Sequence, residues 1–161
     1  MRESDLYPPV RQWPLARGYE VHVEIFGADV VAVKDGQLTV VELKVAWTNQ
    51  LFQQLIDRAG WADFVFAAVP AAMARTREAT SKTKGARYRG FGVLAVDCER
   101  CKVKQVAKPR QQPWMFVKRR NYRLKELTGR PPAMDHELAG LPSCNTLRRQ
   151  RIQRLNREAI V

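Results

Sequence analysis

The chain has 161 residues, 45% hydrophobic and 27% charged, a balance that suits one domain of ordinary size with a real core. No apolar run is long enough to span a bilayer, and Met1-Arg2-Glu3-Ser4-Asp5 leads into no signal-peptide core, so a cytoplasmic protein without membrane contact is expected. The formal net charge of +12 is unevenly divided: residues 1–80 carry 8 Lys+Arg against 10 Asp+Glu, and residues 81–161 carry 20 against 6, the footprint of a polyanion partner.

Ser4 or Asp5 is placed to cap a first helix reaching about Arg17, with Gly18 as its stop. Pro8 and Pro9 suit only its first turn, and Pro14 is expected to kink or interrupt it. Across Tyr19 to Phe26, Val21, Val23 and Ile25 alternate with His22 and Glu24, the pattern of a strand with one buried face. From Gly27 to Lys44 two Val-rich runs flank Asp35-Gly36, the strongest short-range hairpin signal. A two-residue turn there pairs residues whose numbers sum to 71, so Val33 faces Leu38, Val31 faces Val40, and Asp29 faces Glu42. Two carboxylates about 5 Å apart at an effective dielectric near 20 repel by about 3 kcal/mol. A proton on one of them relieves this; a hard divalent cation held by both does so while leaving both charged. Lys44 follows Glu42 by two, and strand alternation puts its side chain on the same face.

After Lys44 the period changes. Asn49 to Ala59 has one apolar face of Leu51, Phe52, Leu55, Ile56 and Ala59, with Gln50, Gln53, Gln54 and Asp57 away from it. Asp63 to Val69 is a continuous apolar run ended by Pro70, a strand buried on both faces, and the helix before it makes a parallel crossover. Ala71 to Thr80 reads as a helix. Ser81 to Gly92 reads as a Gly-punctuated basic loop, with Tyr88 and Phe91 interleaved among Lys82, Lys84, Arg87 and Arg89 for phosphate contacts and base stacking. Phe91 to Asp97 and Cys101 to Ala107 are two further strands. Cys98 and Cys101 form C-x-x-C without a second pair in a chain of 3 cysteines, which reads as reduced thiols flanking a turn rather than a zinc site. The order α-β-β-β-α-β-α-β makes residues 1–110 an α/β core, and 111–161 a basic extension, helical in part. Lys118, Arg119 and Arg120 open a run with few carboxylates, broken by Pro131-Pro132. Ser143 or Asn145 then caps a last helix whose Arg148, Arg149 and Arg151 lie among Arg residues spread over most of its surface, a poor core helix suited to a DNA backbone.

The combination of Asp29 with Glu42-Leu43-Lys44 resembles the PD-(D/E)XK nuclease superfamily, whose members carry an Asp at the start of one strand and Glu-x-Lys on its hairpin partner. The element order is that superfamily's restriction-endonuclease-like mixed sheet. Over about residues 3–110 the runs E-S-D-L-Y-P-P-V, R-G-Y-E-V, V-V-E-L-K, Gln54-L-I-D-Arg58 and A-D-F-V-F-A-A-V-P look like the uncharacterised bacterial family of PD-(D/E)XK phosphodiesterases. The chain departs from it at Pro14 and in its short C-terminal part, where longer members carry a winged-helix-like region. The resemblance implies a Mg2+-dependent DNA endonuclease, with Mn2+ as substitute, acting in repair, recombination or phage-related DNA processing. Asp29, Glu42 and the carbonyl of Leu43 would hold the metal, joined by Glu3 of the first helix or by Glu24. Lys44 would orient the attacking water or stabilise the oxyanion, Gln54 would face the active site and Arg58 the DNA. Compact resolvases share an N-terminal Glu, an Asp and a Glu-x-Lys thirteen residues on, and act as dimers, so a homodimer is a further expectation. The alternative is a protein that keeps this fold without hydrolysis and binds DNA or scaffolds a nucleoprotein complex. A basic RNA-binding module would rest on charge alone.

Overall fold

Asp35 and Gly36 both take positive φ, 51° and 71°, the combination that a type I′ hairpin turn requires. They join β2 (Ala28–Lys34) to β3 (Gln37–Leu43) in the expected register, with Val33 opposite Leu38 and Val31 opposite Val40. The structure, a computed structural model, describes residues 1–129. Its six strands lie side by side in chain order. β1 (Glu20–Ile25) is antiparallel to β2, and β2 to β3. β4 (Phe64–Pro70) and β5 (Gly92–Asp97) add in parallel, and β6 (Lys102–Ala107) closes the far edge antiparallel to β5. The expected α/β architecture, a mixed sheet flanked by helices, is the observed one.

Strand alternation sends neighbouring residues to two separate cores. Val31, Leu38, Val40, Val65, Ala67 and Val93 pack with Leu51 and Leu55 of α2 (Asn49–Ala59), Ala86 of α3 (Arg77–Tyr88) and Leu127 of α4 (Val117–Thr128). Val30, Ala32, Val41, Phe66 and Leu94 pack with Leu6, Tyr7 and Val10 of α1 (Glu3–Leu15). The sheet is therefore sandwiched between α1 and the three other helices. Close packing at its centre leaves no room for a side chain at Gly92, where a Cβ would lie 2.3 Å from the Phe66 ring.

Two local expectations are corrected. Helix α1 starts at Glu3, where the Arg2 N–H donates to Asp5 Oδ2 at 2.7 Å, and it runs through Pro8, Pro9 and Pro14 to Leu15. The three prolines are themselves buried, so packing against the sheet outweighs the backbone bonds they remove. The segment Ala71 to Thr80 holds only a short turn, Met73–Arg75, before Thr76 Oγ1 accepts the Ala79 N–H at 3.0 Å and starts α3. Ser81 to Tyr88 is thus helical rather than a loop, and Phe91, expected to stack on bases, is 2% exposed in the core.

Beyond residue 110 the described chain stays bonded to the segment that leads into β4. The Gln112 N–H donates to the Asp63 carbonyl at 2.8 Å, and the Phe116 N–H to Gly60 at 2.8 Å. Asp63 is wholly buried, and its carboxylate accepts from the Leu38 N–H at 2.7 Å, Trp114 Nε1 at 2.9 Å and Arg120 Nη2 at 2.8 Å. One buried acid thereby ties β3, β4 and α4 together. Removing one partner of such a pair leaves the other charge uncompensated, so Asp63→Ala is expected to cost about 3–5 kcal/mol in urea-induced unfolding. A loss under about 1 kcal/mol would show that the acid is dispensable.

Candidate active site

Val30 and Val41 are the last regular pair of the β2–β3 ladder. Beyond that pair, the Leu43 N–H donates to Asp29 Oδ2 at 2.7 Å, the carboxylate taking the acceptor place where the ladder ends. Glu42, between Val41 and Leu43, is wholly buried. Its Oε1 accepts from Arg58 Nε at 2.6 Å, and Arg58 Nη2 donates onward to the Gly27 carbonyl. Glu42 Oε2 is buried with no hydrogen-bond partner. Burial pushes the Glu42 carboxyl up from 4.5 to about 7; the Arg58 hydrogen bond and charge oppose the rise, and the charge and hydrogen bonding of nearby Asp29 add to it.

Lys44 behaves differently from its expected place. Its Nζ is held by Glu3 of α1, at 2.8 Å from Oε1 and 3.1 Å from Oε2. A side chain this long can turn around the end of a strand, so alternation fixes where it leaves the backbone but not where its charge rests. The cation on Glu42 is instead Arg58, which the sequence offered only as a DNA contact. Glu24 is exposed, with φ of 47°. Among the described residues no three His, Cys, Asp or Glu side chains are gathered to hold a metal ion, so neither Glu3 nor Glu24 completes a triad with Asp29 and Glu42.

The turn that delivers Asp29 is strained. Phe26 and Gly27 follow Glu24 into the left-handed region, at φ of 56° and 74°, and a bulky residue there costs of order 1–3 kcal/mol. What holds it is visible: Arg58 grips the Gly27 carbonyl, and the Phe26 ring packs edge-on against Trp61 at 6.1 Å. Arg123 of α4 lies over both rings, 4.0 Å from the Trp61 centroid and 5.0 Å from that of Phe26. Burial lowers its pKa, and the charges of Arg119 and Arg58 lower it further. Sequence reading missed Arg123, since nothing in its spacing marks it out from its basic neighbours. Gln54, one helical turn before Arg58, has a buried Oε1 without a hydrogen-bond partner.

The expected nucleic-acid contacts separate into groups. Lys84, Arg87, Tyr88 and Arg89 are exposed at the end of α3, and Lys118 and Arg119 at the start of α4. Lys82 is half-buried over the Phe52 ring. Arg120 is committed to Asp63 and to the Gly36 carbonyl at 3.0 Å, and is not a surface cation. Arg148, Arg149, Arg151 and the last helix lie outside the described residues. Cys98 is a free thiol, pushed up to about 11 chiefly by burial, with the charges of Asp5 and Asp97 adding.

No protein-family model matches the chain, and no curated protein does. Among solved structures it is similar to the SPO1766 protein of unknown function from Silicibacter pomeroyi, with 19% identity over 80% of this chain and 93% of that one, at a TM-score of 0.49. No described helix is long and apolar enough to cross a membrane.

The Glu42 carboxyl gives a test of the geometry by pH. With a folded value near 7 against 4.5, the folded state holds an extra proton between those values. The stability it confers is fully present below about pH 4.5 and is lost as pH rises through 7. Glu42→Gln removes that dependence, so the unfolding free energy of the variant relative to wild type rises by of order 3 kcal/mol over this window. Chemical-denaturation curves whose difference is the same at every pH would contradict the burial of this carboxyl.

Proposed function

We propose that the chain is a metal-dependent endonuclease that hydrolyses DNA phosphodiester bonds at a site centred on Asp29 and Glu42. One observation carries the reading: a wholly buried carboxylate stands so close to a second acid, Asp29, that the charge and hydrogen bonding of that acid act on it. Such burial costs several kcal/mol and the neighbouring charge adds to it, whereas a neutral side chain of the same size would serve a purely structural role at less cost.

The residues present fit a hard divalent cation. They offer oxygen donors only, and Mg2+ is commonly bound through one or two carboxylates with water completing its shell. Asp29, Glu42 and the carbonyl of Leu43 would hold Mg2+, or Mn2+ in its place. When bound, the ion supplies a water of lowered pKa and positive charge beside the phosphate. Arg58 is the present counter-charge to Glu42 and is the group that must leave Oε1 for both carboxylates to face a cation. Guanidinium stays charged wherever it turns, so a displaced Arg58 remains available to a phosphate oxygen. Lys44, steadied by Glu3, keeps a compact ammonium at the end of β3, suited to orienting a water or stabilising charge on the pentacovalent oxyanion. The exposed cations of α3 and α4 supply salt-dependent affinity for the DNA backbone.

A second reading has its own support. The pairs Glu42–Arg58 and Lys44–Glu3 neutralise the motif internally, as in a nuclease-fold protein that binds DNA or scaffolds a nucleoprotein complex without cutting it. The two are separated by incubating full-length protein with labelled duplex, single-stranded and branched oligonucleotides, with Mg2+, with Mn2+ and with neither. Cleavage by wild type that needs the metal and falls about 10²–10³-fold in Glu42→Gln and Lys44→Ala, with binding retained, supports the enzyme. Wild type inert on every substrate leaves the binding protein.

A further inference from the structure

Where α3 ends, Lys84, Arg87, Tyr88 and Arg110 line an open cavity of about 560 Å³. Three of the four lining residues are cations and none is acidic. Tyr88 is 85% exposed, an aromatic ring that the core does not use. The site is nonetheless built rather than fortuitous. Arg110 Nη2 donates to the Tyr88 carbonyl at 2.6 Å, and the Arg110 N–H to the Gly90 carbonyl at 2.9 Å. Gln112, 8% exposed, donates from Nε2 to the carbonyls of Gly90 and Arg110 at 3.1 and 3.3 Å. A Cβ at Gly90, whose φ is 81°, would be strained and would sit a tight 3.0 Å from Gln112 Nε2 and 3.3 Å from Arg110 Nε. Arg110 is consequently fixed across the end of the helix beside the ring.

We infer that this cavity binds a single-stranded segment of nucleic acid, its cations on successive phosphates and one unpaired base stacked on Tyr88. The volume is within the usual range for a small-ligand site, and the alternation of cation and exposed ring matches how unpaired strands are held. An exposed ring flanked by cations can stack only on a base whose face is free, which bases stacked inside a duplex do not offer. This inference rests on the proposal that the partner is nucleic acid, and it adds the class of substrate: DNA with an unpaired stretch. It also adds Arg110, which sequence reading did not single out.

The test is fluorescence anisotropy with full-length protein, without added metal and in a Glu42→Gln background, on a labelled oligothymidylate and on a duplex of equal length. Tyr88→Ala is expected to weaken single-strand binding roughly tenfold or more and duplex binding less than about twofold, while Tyr88→Phe, which keeps the ring, binds as the parent does. Arg110→Gln is expected to weaken binding and to lower the salt slope by about one. Equal losses on both probes, or none on either, would overturn the inference, as would full displacement of the oligonucleotide by thymidine monophosphate at equal concentration of phosphate. If wild type cuts DNA but Tyr88→Ala binds normally, the cavity assignment fails and the nuclease stands. If wild type never cuts but Tyr88→Ala loses single-strand affinity, the reverse holds.

Discussion

A carboxylate taken wholly out of water must be matched by a charge or give up its own, and Glu42 does part of each. Arg58 meets one oxygen at 2.6 Å, no described cation meets the other, and burial beside Asp29 pushes the carboxyl up to about 7. That incomplete satisfaction organises its surroundings. Arg58 is held on Glu42 and so reaches the Gly27 carbonyl, which steadies the strained turn before Asp29. The same turn carries Phe26, on which Arg123 and Trp61 rest. The end of β3, the C-terminal part of α2 and the middle of α4 are thus coupled through one buried acid.

Asp63 shows what a purely structural buried acid looks like in this fold. Backbone N–H, indole and guanidinium donors surround its two oxygens, and each donor belongs to a different segment. A polar network satisfied in this way fixes one arrangement of the chain. Glu42 has half of such a network, beside another acid and at the end of a strand where the sheet opens. The contrast between the two sites, within one protein, is the physical basis for proposing chemistry at one of them and architecture at the other.

Much of the scaffold was legible because it is written in local signals. Asp35-Gly36 and the Val alternation around it define the hairpin and its register, and with them the neighbourhood of Asp29 and Glu42. The apolar runs at 63–69 and 91–97 mark, to within a residue, the strands that add in parallel. What was not legible depends on long side chains and long separations. Lys44 pairs with Glu3 from 41 residues away, and Arg120 with Asp63 from 57; periodicity places a Cα on a face but does not say where four or five further bonds will lead. Pro8, Pro9 and Pro14 read as helix breakers because propensity is local, while the burial that overrides it is tertiary. The start of α3 was written in Thr76, a good N-cap residue, but the Lys- and Gly-rich sequence after it resembled a loop more than a helix.

The central claim is that Asp29 and Glu42 together hold a divalent cation in place of Arg58. Titration of the metal-free protein with Mn2+, followed by loss of the free-ion electron paramagnetic resonance signal, tests it without reference to cleavage. One saturable site in wild type, weakened at least about tenfold in Asp29→Asn, is the predicted result. Wild type that takes up no Mn2+ at millimolar concentrations, or a variant that binds it equally well, would contradict the account.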